Sequence, residues 1–205
     1  MANANVAFGL KPINLAGGAA NSTGTNAYFI KSDASAIYQG SPVIATNDGT
    51  IAITGSASGD TYKHIGVFAG CEYVSSTTGK KTWSNYWPGS GADTNFDIVA
   101  HVYDNPTQRF VIATDATFTN RATAIAAIFE NTQFNTGTSG STTTGVSSAS
   151  MDVATVDATD ASLPLKIVGL YDDPENSDYT AAGASIVVMF NNHALLSNDV
   201  ETVVS

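Results

Sequence analysis

The residues through which this chain could do chemistry are few, and they do not converge. His64, His101 and His193 each stand alone within a strand-like run or at its end. Neither a paired-ligand spacing nor an H-E-x-x-H helix turns them into a metal site. A lone histidine in such a run reads as a surface or edge residue rather than a general base. No G-x-S-x-G turn lifts a serine above a sheet. Gly17-Gly18 lacks the preceding strand and the following Lys of a phosphate loop. Cys71 is the single cysteine, so no internal disulfide forms, and its setting, GVFAGCEYV, reads as a buried, inert thiol. Asp172, Asp173, Glu175 and Asp178, with Asn176, crowd oxygen ligands into YDDPENSD, a density that suits Ca2+. The spacing is not that of an EF-hand loop, however, and Asp-Pro and Asn-Ser are turn residues, so a solvated turn is the expectation. The sequence therefore offers no catalytic residue, no cofactor site and no metal site.

The densest chemical feature is aromatic. KTWSNYWPGS holds both tryptophans of the chain, Trp83 and Trp87, with Tyr86 between them. Large aromatic faces stack on sugars, plug cores and anchor interfaces. On a strand, Trp83 and Trp87 share a face and Tyr86 takes the other. A core plug and an interface anchor fit equally well, with a sugar-stacking platform behind them.

The elements that must position these residues are strands. AYFIK and AIYQ are followed by SPVIAT and TIAIT, which Asn47-Asp48-Gly49 joins as a hairpin. YKHIGVFAGCEYV runs through SSTTGK into KTWSNYW, a second hairpin. In FDIVAHVYD, Phe96, Ile98, Ala100 and Val102 point one way and Asp97, His101 and Tyr103 the other. DNP then turns the chain back into QRFVIATDA, which predicts an antiparallel meander with one wet face. One segment is helical, TNRATAIAAIFENT, capped at Thr119 or Asn120 with Ala122, Ile125, Ala126 and Phe129 on one stripe. LPLKIVGLYDD and ASIVVMFNNHALL are more continuously apolar and read as central strands. The fold class expected is all-β, an antiparallel barrel or sandwich.

Two segments stand apart from that domain. Residues 1–26 show no sustained period, and their apolar groups are Val6, Phe8, Leu10, Ile13 and Leu15. They read as an N-terminal arm, with residues 27–205 forming one β domain. Apolar side chains such as Phe8, Leu10 and Ile13 suit an arm that orders on a neighbouring subunit. Removing residues 1–20 is then expected to leave the fold intact. Around residues 132–150, NTGTSGSTTTGVSSAS reads as a flexible Gly/Ser/Thr insertion.

Charge narrows the partners. With 18 acidic residues against 8 basic ones the formal net charge is -10, which disfavours a phosphate backbone as ligand, so no nucleic acid is expected. No run is long and apolar enough to span a bilayer as a helix, and MANANVAFGL lacks a secretory signal pattern. No membrane is expected as a partner, and a cytoplasm is the expected site of synthesis.

Several stretches in order carry a resemblance: NVAFGLKPI, IGVFAGCEYVSSTTGKKTWSNYWPGS, DIVAHVYDNPTQRFVIATDAT, STTTGVSSASMD, LPLKIVGLYDDPEN and VMFNNHALL. Together they resemble the head decoration, or cement, proteins of tailed bacteriophages, over nearly the whole chain. Members often carry a basic residue after the NNH stretch, whereas Ala194, Leu195 and Leu196 follow here. The resemblance implies a virion structural protein on the outer capsid surface, assembled in a host bacterial cytoplasm and not an enzyme. Its implied partners are the major capsid protein and neighbouring copies of itself, a trimer among the options. Phe8, Leu10, Ile13, Trp83, Tyr86 and Trp87 are then the expected interaction residues. A carbohydrate-binding virion module, a β-rich glycan hydrolase and a tail or baseplate component are the rivals.

Overall fold

The computed structural model describes residues 3, 6–17, 24–54, 64–174, 176 and 178–196. In chain order the strands are β1 (Lys11–Leu15), β2 (Asn26–Ile30), β3 (Pro42–Ala45), β4 (Thr50–Ile53), β5 (His64–Val74), β6 (Lys81–Ser84), β7 (Ile98–Tyr103) and β8 (Gln108–Ala113). The helix α1 (Arg121–Ala126) follows, then β9 (Asn131–Thr132), β10 (Phe134–Asn135), β11 (Ser150–Met151), β12 (Leu165–Leu170) and β13 (Ser185–Phe190). The chain is all-β, with α1 the lone α-helix among the described residues.

The strands sort into two main sheets. In the first, β3, β4, β2, β7 and β5 are joined in sequence, and β5 also pairs with β3, so the five close into a ring with β6 added along β5. All of these pairs are antiparallel except β2 with β4. Closure removes the free edges that an open sheet would expose. The second sheet is open and antiparallel, in the order β1-β8-β13-β12-β9.

Alternation along the ring strands sets the barrel interior. Ile98, Ala100 and Val102 of β7 point inward with Ile30, Val43, Ile51, Phe68 and Cys71, as period-2 patterning requires. Two glycines let the 11-residue β5 coil around so narrow a ring. A Cβ on Gly66 would sit 2.2 Å from the Tyr103 carbonyl oxygen, and Gly70 lies beside a register shift between β5 and β7. The second core lies beneath the open sheet, with Phe110, Ile112, Leu165, Ile167, Ile186, Val188 and Phe190 packed against Leu10, Phe134 and Met151. Val67 of β5 points away from the barrel interior into this second core, and Tyr103 packs against it. The open sheet thus covers one part of the barrel's outside.

Both hairpins expected from the sequence form, β3–β4 and β5–β6. Gly49 takes φ 76 in the first, the left-handed region the turn demands. AIYQ does not become a strand; Ile37 and Gln39 form isolated bridges, to Trp87 and Val146.

The meander across DNP does not form. Asn105 caps a tight corner through Thr107 N (2.9 Å) and Thr107 Oγ1 (2.8 Å), but the corner carries the chain from the barrel into the open sheet. There β8 lies between β1 and β13. The reason is burial: Phe110 to Ala113 are all buried, which suits a strand flanked on both edges and not a half-wet hairpin arm. Phe96 precedes the strand and is exposed.

The arm is corrected in part. Residues 9–16 belong to the domain: Leu10 is 1% exposed and donates its N–H to Gly40 O at 2.9 Å, while β1 pairs with β8. A short aperiodic segment orders here because an existing strand edge supplies its hydrogen bonds. Deleting residues 1–20 would therefore strip a core residue and an edge strand, contrary to the expectation of an intact fold. Residues 1, 2, 4, 5 and 18–23 of that arm lie outside the described residues.

The flexible insertion is corrected too. Its hydroxyls and backbone are tied down: β10 pairs β11, Gln39 bridges Val146 and Gly140 bridges Ser147. A Cβ on Gly140 would fall 2.2 Å from the Tyr38 ring, so the missing side chain permits the contact. Low apolar content was offset by close backbone approach. The helix also departs from its expected stripe. Its Asn120 cap and capping box form, yet Ala124 and Ala127 face the core while Ile125 and Phe129 face solvent.

Candidate interaction surface

The aromatic segment splits into three environments. Trp87 is fully buried in the barrel, its Nε1–H donating to Ala34 O at 3.1 Å and its ring edge-on to Tyr73 at 5.5 Å. Its backbone exchanges two hydrogen bonds with Ile37, at 2.9 and 2.8 Å. Trp87 is therefore a barrel plug, and its expected role as an interface residue is withdrawn: no face is left to present. Leu10 is withdrawn for the same reason. Tyr86 is half-buried, stacked parallel on Tyr38 with centroids 6.0 Å apart.

Trp83 alone of the three is open, at 62% exposure. It lies on β6 across from Glu72 of β5. A Cβ on Gly70 would be 3.1 Å from its Cζ2, so the glycine makes room for the indole on the outer wall. Glu72 pairs with Lys81 and lies 3.4 Å from His101 Nε2. The hydrogen bond from Lys81 comes first among the causes that hold the Glu72 carboxyl below the usual carboxylate range.

Register extends this site across the sheet. Trp83 pairs with Glu72, Glu72 with Val99 of β7, and Val99 with Phe29 of β2. The four form one outward rank, with the exposed aromatics Trp83 and Phe29 at its ends. Within the closed five-strand ring, each of the two steps from β5 to β7 to β2 turns the outward direction by roughly 70°. The two aromatics thus face different sides of the barrel rather than forming one flat patch. Phe29 was missed in the sequence, although in AYFIK the inward phase of Tyr28 and Ile30 already sets Phe29 outward.

Phe8 and Ile13 are half-buried and line a groove of about 650 Å3 with Val6, Lys11, Pro12 and Val111. The Lys11 Nζ lies 4.3 Å from the Phe8 ring centroid. The structure therefore does not bring the expected residues to one site: Trp83 stands on the barrel wall, Phe8 and Ile13 at the edge of the open sheet.

The remaining chemical candidates are structural. Asn176 is buried, its Nδ2 donating to Tyr171 O and Ser185 O and its Oδ1 accepting from Ser185 N at 2.6 Å. Asp178 caps Thr180, accepting from its N at 3.0 Å and its Oγ1 at 2.6 Å. Glu175 lies outside the described residues. Among the described residues, no three His, Cys, Asp or Glu side chains are grouped to hold a metal ion. His64 and His193 are buried where the two sheets meet, bridged in parallel. The His64 ring lies 5.1 Å from Phe190 and 5.4 Å from Phe134, and neither of its nitrogens has a hydrogen-bond partner. Burial pushes His64 down to about 3 and His193 to about 4, with Asp104 opposing the second shift.

Cys71 lies inside the barrel, its Sγ 3.5 Å from Tyr86 O, and burial pushes the thiol up to about 12. A thiol that stays protonated and enclosed is a poor nucleophile. Its modification by a disulfide reagent is expected only at the rate of unfolding; rapid labelling in native buffer would contradict this placement.

Compared with family models, curated proteins and solved structures, the chain matches none, so the surface is read from its own geometry.

Proposed function

We propose that this chain is a virion structural protein that decorates the outside of a tailed-phage capsid and stabilises it by bridging major capsid protein subunits. The observation that carries the reading is the outward rank on the barrel, with Trp83 and Phe29 aimed to different sides. A bridging protein needs an adhesive group for each of two neighbours, and exposed aromatics are the usual energetic anchors of such contacts. Many copies on one lattice then gain from effective concentration even when each contact is modest.

Charge supports the same orientation. Residues 24–103, the stretch that contains the barrel strands, carry six acidic and four basic residues, whereas residues 104–205 carry twelve and three. The barrel can approach a protein surface at small electrostatic cost while the acidic half stays solvated. The resemblance described above adds the identity of the surface, a capsid shell.

The test is cosedimentation with empty shells of the cognate capsid protein. Trp83→Ala should weaken binding about 30-fold, the loss of a hot spot worth about 2 kcal/mol, with the melting temperature nearly unchanged because the side chain is exposed. Equal occupancy of wild type and variant would sink the proposal. A second reading draws on the polar groups beside Trp83: Glu72, Lys81 and His101 could hydrogen-bond a sugar stacked on the indole. It predicts saturable glycan binding that the same variant abolishes, and no affinity for shells.

A further inference from the structure

The five strands of the open sheet hold three basic residues, Lys11, Arg109 and Lys166, and no acidic one, in a chain whose formal net charge is -10. All three point the same way. Lys11 pairs with Val111, whose neighbours Phe110 and Ile112 face the core, so both side chains take the outer face. Arg109 precedes Phe110, and Lys166 lies between the core residues Leu165 and Ile167, so alternation sends both outward as well. Among the described residues none of the three is in an ion pair. A lysine on an edge strand discourages unwanted pairing, which would account for Lys11 on β1. It does not account for Arg109 and Lys166, whose strands are flanked on both sides.

The outer face gives these cations an apolar setting. The groove of about 650 Å3 crosses the sheet here, from Lys11 and Ile13 on β1 over Val111 to Ser185 on β13. Beside it runs the next rank of outward residues. Met189 pairs with Lys166 and Val188 with Phe110, which sets Arg109, Met189 and Lys166 in one row. That row lies about 7 Å from the rank of Val111, and its two cations are about 10 Å apart. The Arg109 Nε is buried without a hydrogen-bond partner. The Lys166 Nζ donates to a neutral group, the Phe129 carbonyl, at 3.0 Å. Asp173, which also lines the groove, already has a partner.

We propose that this face binds an extended acidic peptide segment of a partner protein, its apolar side chains entering the groove and its carboxylates meeting Lys11, Arg109 and Lys166. Alternate side chains of an extended chain are about 7 Å apart, a repeat that suits the spacing of the cations. Charge-assisted hydrogen bonds to carboxylates are the strong ones, and clustered cations are a recurrent means of holding acidic motifs. A peptide is favoured over an anionic bilayer or a nucleic acid because the chain as a whole is acidic. A broad polyanionic surface meets the repulsion of the whole molecule, whereas a short segment in a groove meets chiefly the cations beside it. The inference goes beyond the capsid-bridging reading and stands without it, because this face is separate from the Trp83–Phe29 rank on the barrel.

Fluorescence anisotropy of a labelled hexapeptide of alternating glutamate and valine tests it at low salt. The wild-type protein should bind the peptide saturably, with a Kd below about 1 mM, and added salt should weaken the complex. Lys11→Glu, at an exposed position, should weaken binding about 10-fold with the melting temperature nearly unchanged. Lys166→Gln, which keeps a donor for the Phe129 carbonyl, should do the same. Lys31→Glu makes the same change in net charge beside Asp48, away from this sheet, and should leave binding as it is. The proposal is overturned if the wild type shows no binding, if either Lys11→Glu or Lys166→Gln binds like wild type, or if Lys31→Glu weakens binding as much as they do. Equal binding of a hexapeptide of alternating lysine and valine would also overturn it. So would binding to phosphatidylglycerol vesicles with none to the acidic peptide, which would assign the face to a membrane surface instead.

Discussion

Trp87→Ala is expected to cost about 3–5 kcal/mol of folding stability, the range for removing a large aromatic side chain from a packed core. For a chain of this size that corresponds to a fall in Tm of roughly 6–20 °C. Three losses add up at this position. The largest fully buried side chain of the protein leaves a cavity bounded by the barrel interior. The Ala34 carbonyl loses the indole N–H that it accepts at 3.1 Å. The edge-on contact with Tyr73 disappears as well. Chemical denaturation measures the effect directly, and Trp83→Ala provides the internal contrast, with an expected loss below about 1 kcal/mol at an exposed site. If the two substitutions cost the same, the division of this aromatic segment into plug and anchor is wrong.

Acidification from pH 6.5 to 4.5 should destabilise the protein by roughly 4–5 kcal/mol through His64 and His193. In the unfolded chain both imidazoles take up a proton near pH 6.5. In the folded protein burial delays that uptake to about 3 for His64 and about 4 for His193. Between those values the unfolded state binds more protons, so stability falls as the pH drops. The slope approaches about 1.4 kcal/mol per pH unit for His64 and is smaller for His193, which Asp104 partly favours in its charged form. The carboxylates held low, such as Glu72 and Asp157, contribute stability that is lost progressively as the pH falls below about 5, so the window from about 6.5 to 5 belongs to the histidines. His64→Phe keeps a ring against Phe190 and Phe134 and removes two orphaned nitrogens. It should remove more than half of this pH dependence and raise stability at pH 5. An unchanged slope in that variant would show that His64 is accessible to protons in the native state.

Much of this was legible in the residues themselves. Strict alternation over Ile98–Val102 set the inward face of β7, and Asp48-Gly49 set the first hairpin, because both signals are carried by neighbours in the chain. The Cys71 setting likewise spoke for a buried thiol. The candidate site was only half legible: tryptophan content marked the segment, but nothing local distinguishes a residue that plugs a barrel from one that stands on its wall. Alternation assigns Trp83 and Trp87 to one face, whereas the chain leaves β6 after Ser84 and turns Trp87 inward against Ile37.

By itself, then, the sequence determined the all-β class, the two hairpins, the helix cap and the small stock of reactive groups, all of which rest on local periodicity, turn chemistry and composition. Tertiary structure alone decided that β8 leaves the barrel for a second sheet, that Leu10 and Trp87 are core, and that Trp83 and Phe129 face water. Those outcomes depend on which distant strand supplies hydrogen bonds and which distant side chain fills a space, and such partners are chosen by the whole packed chain.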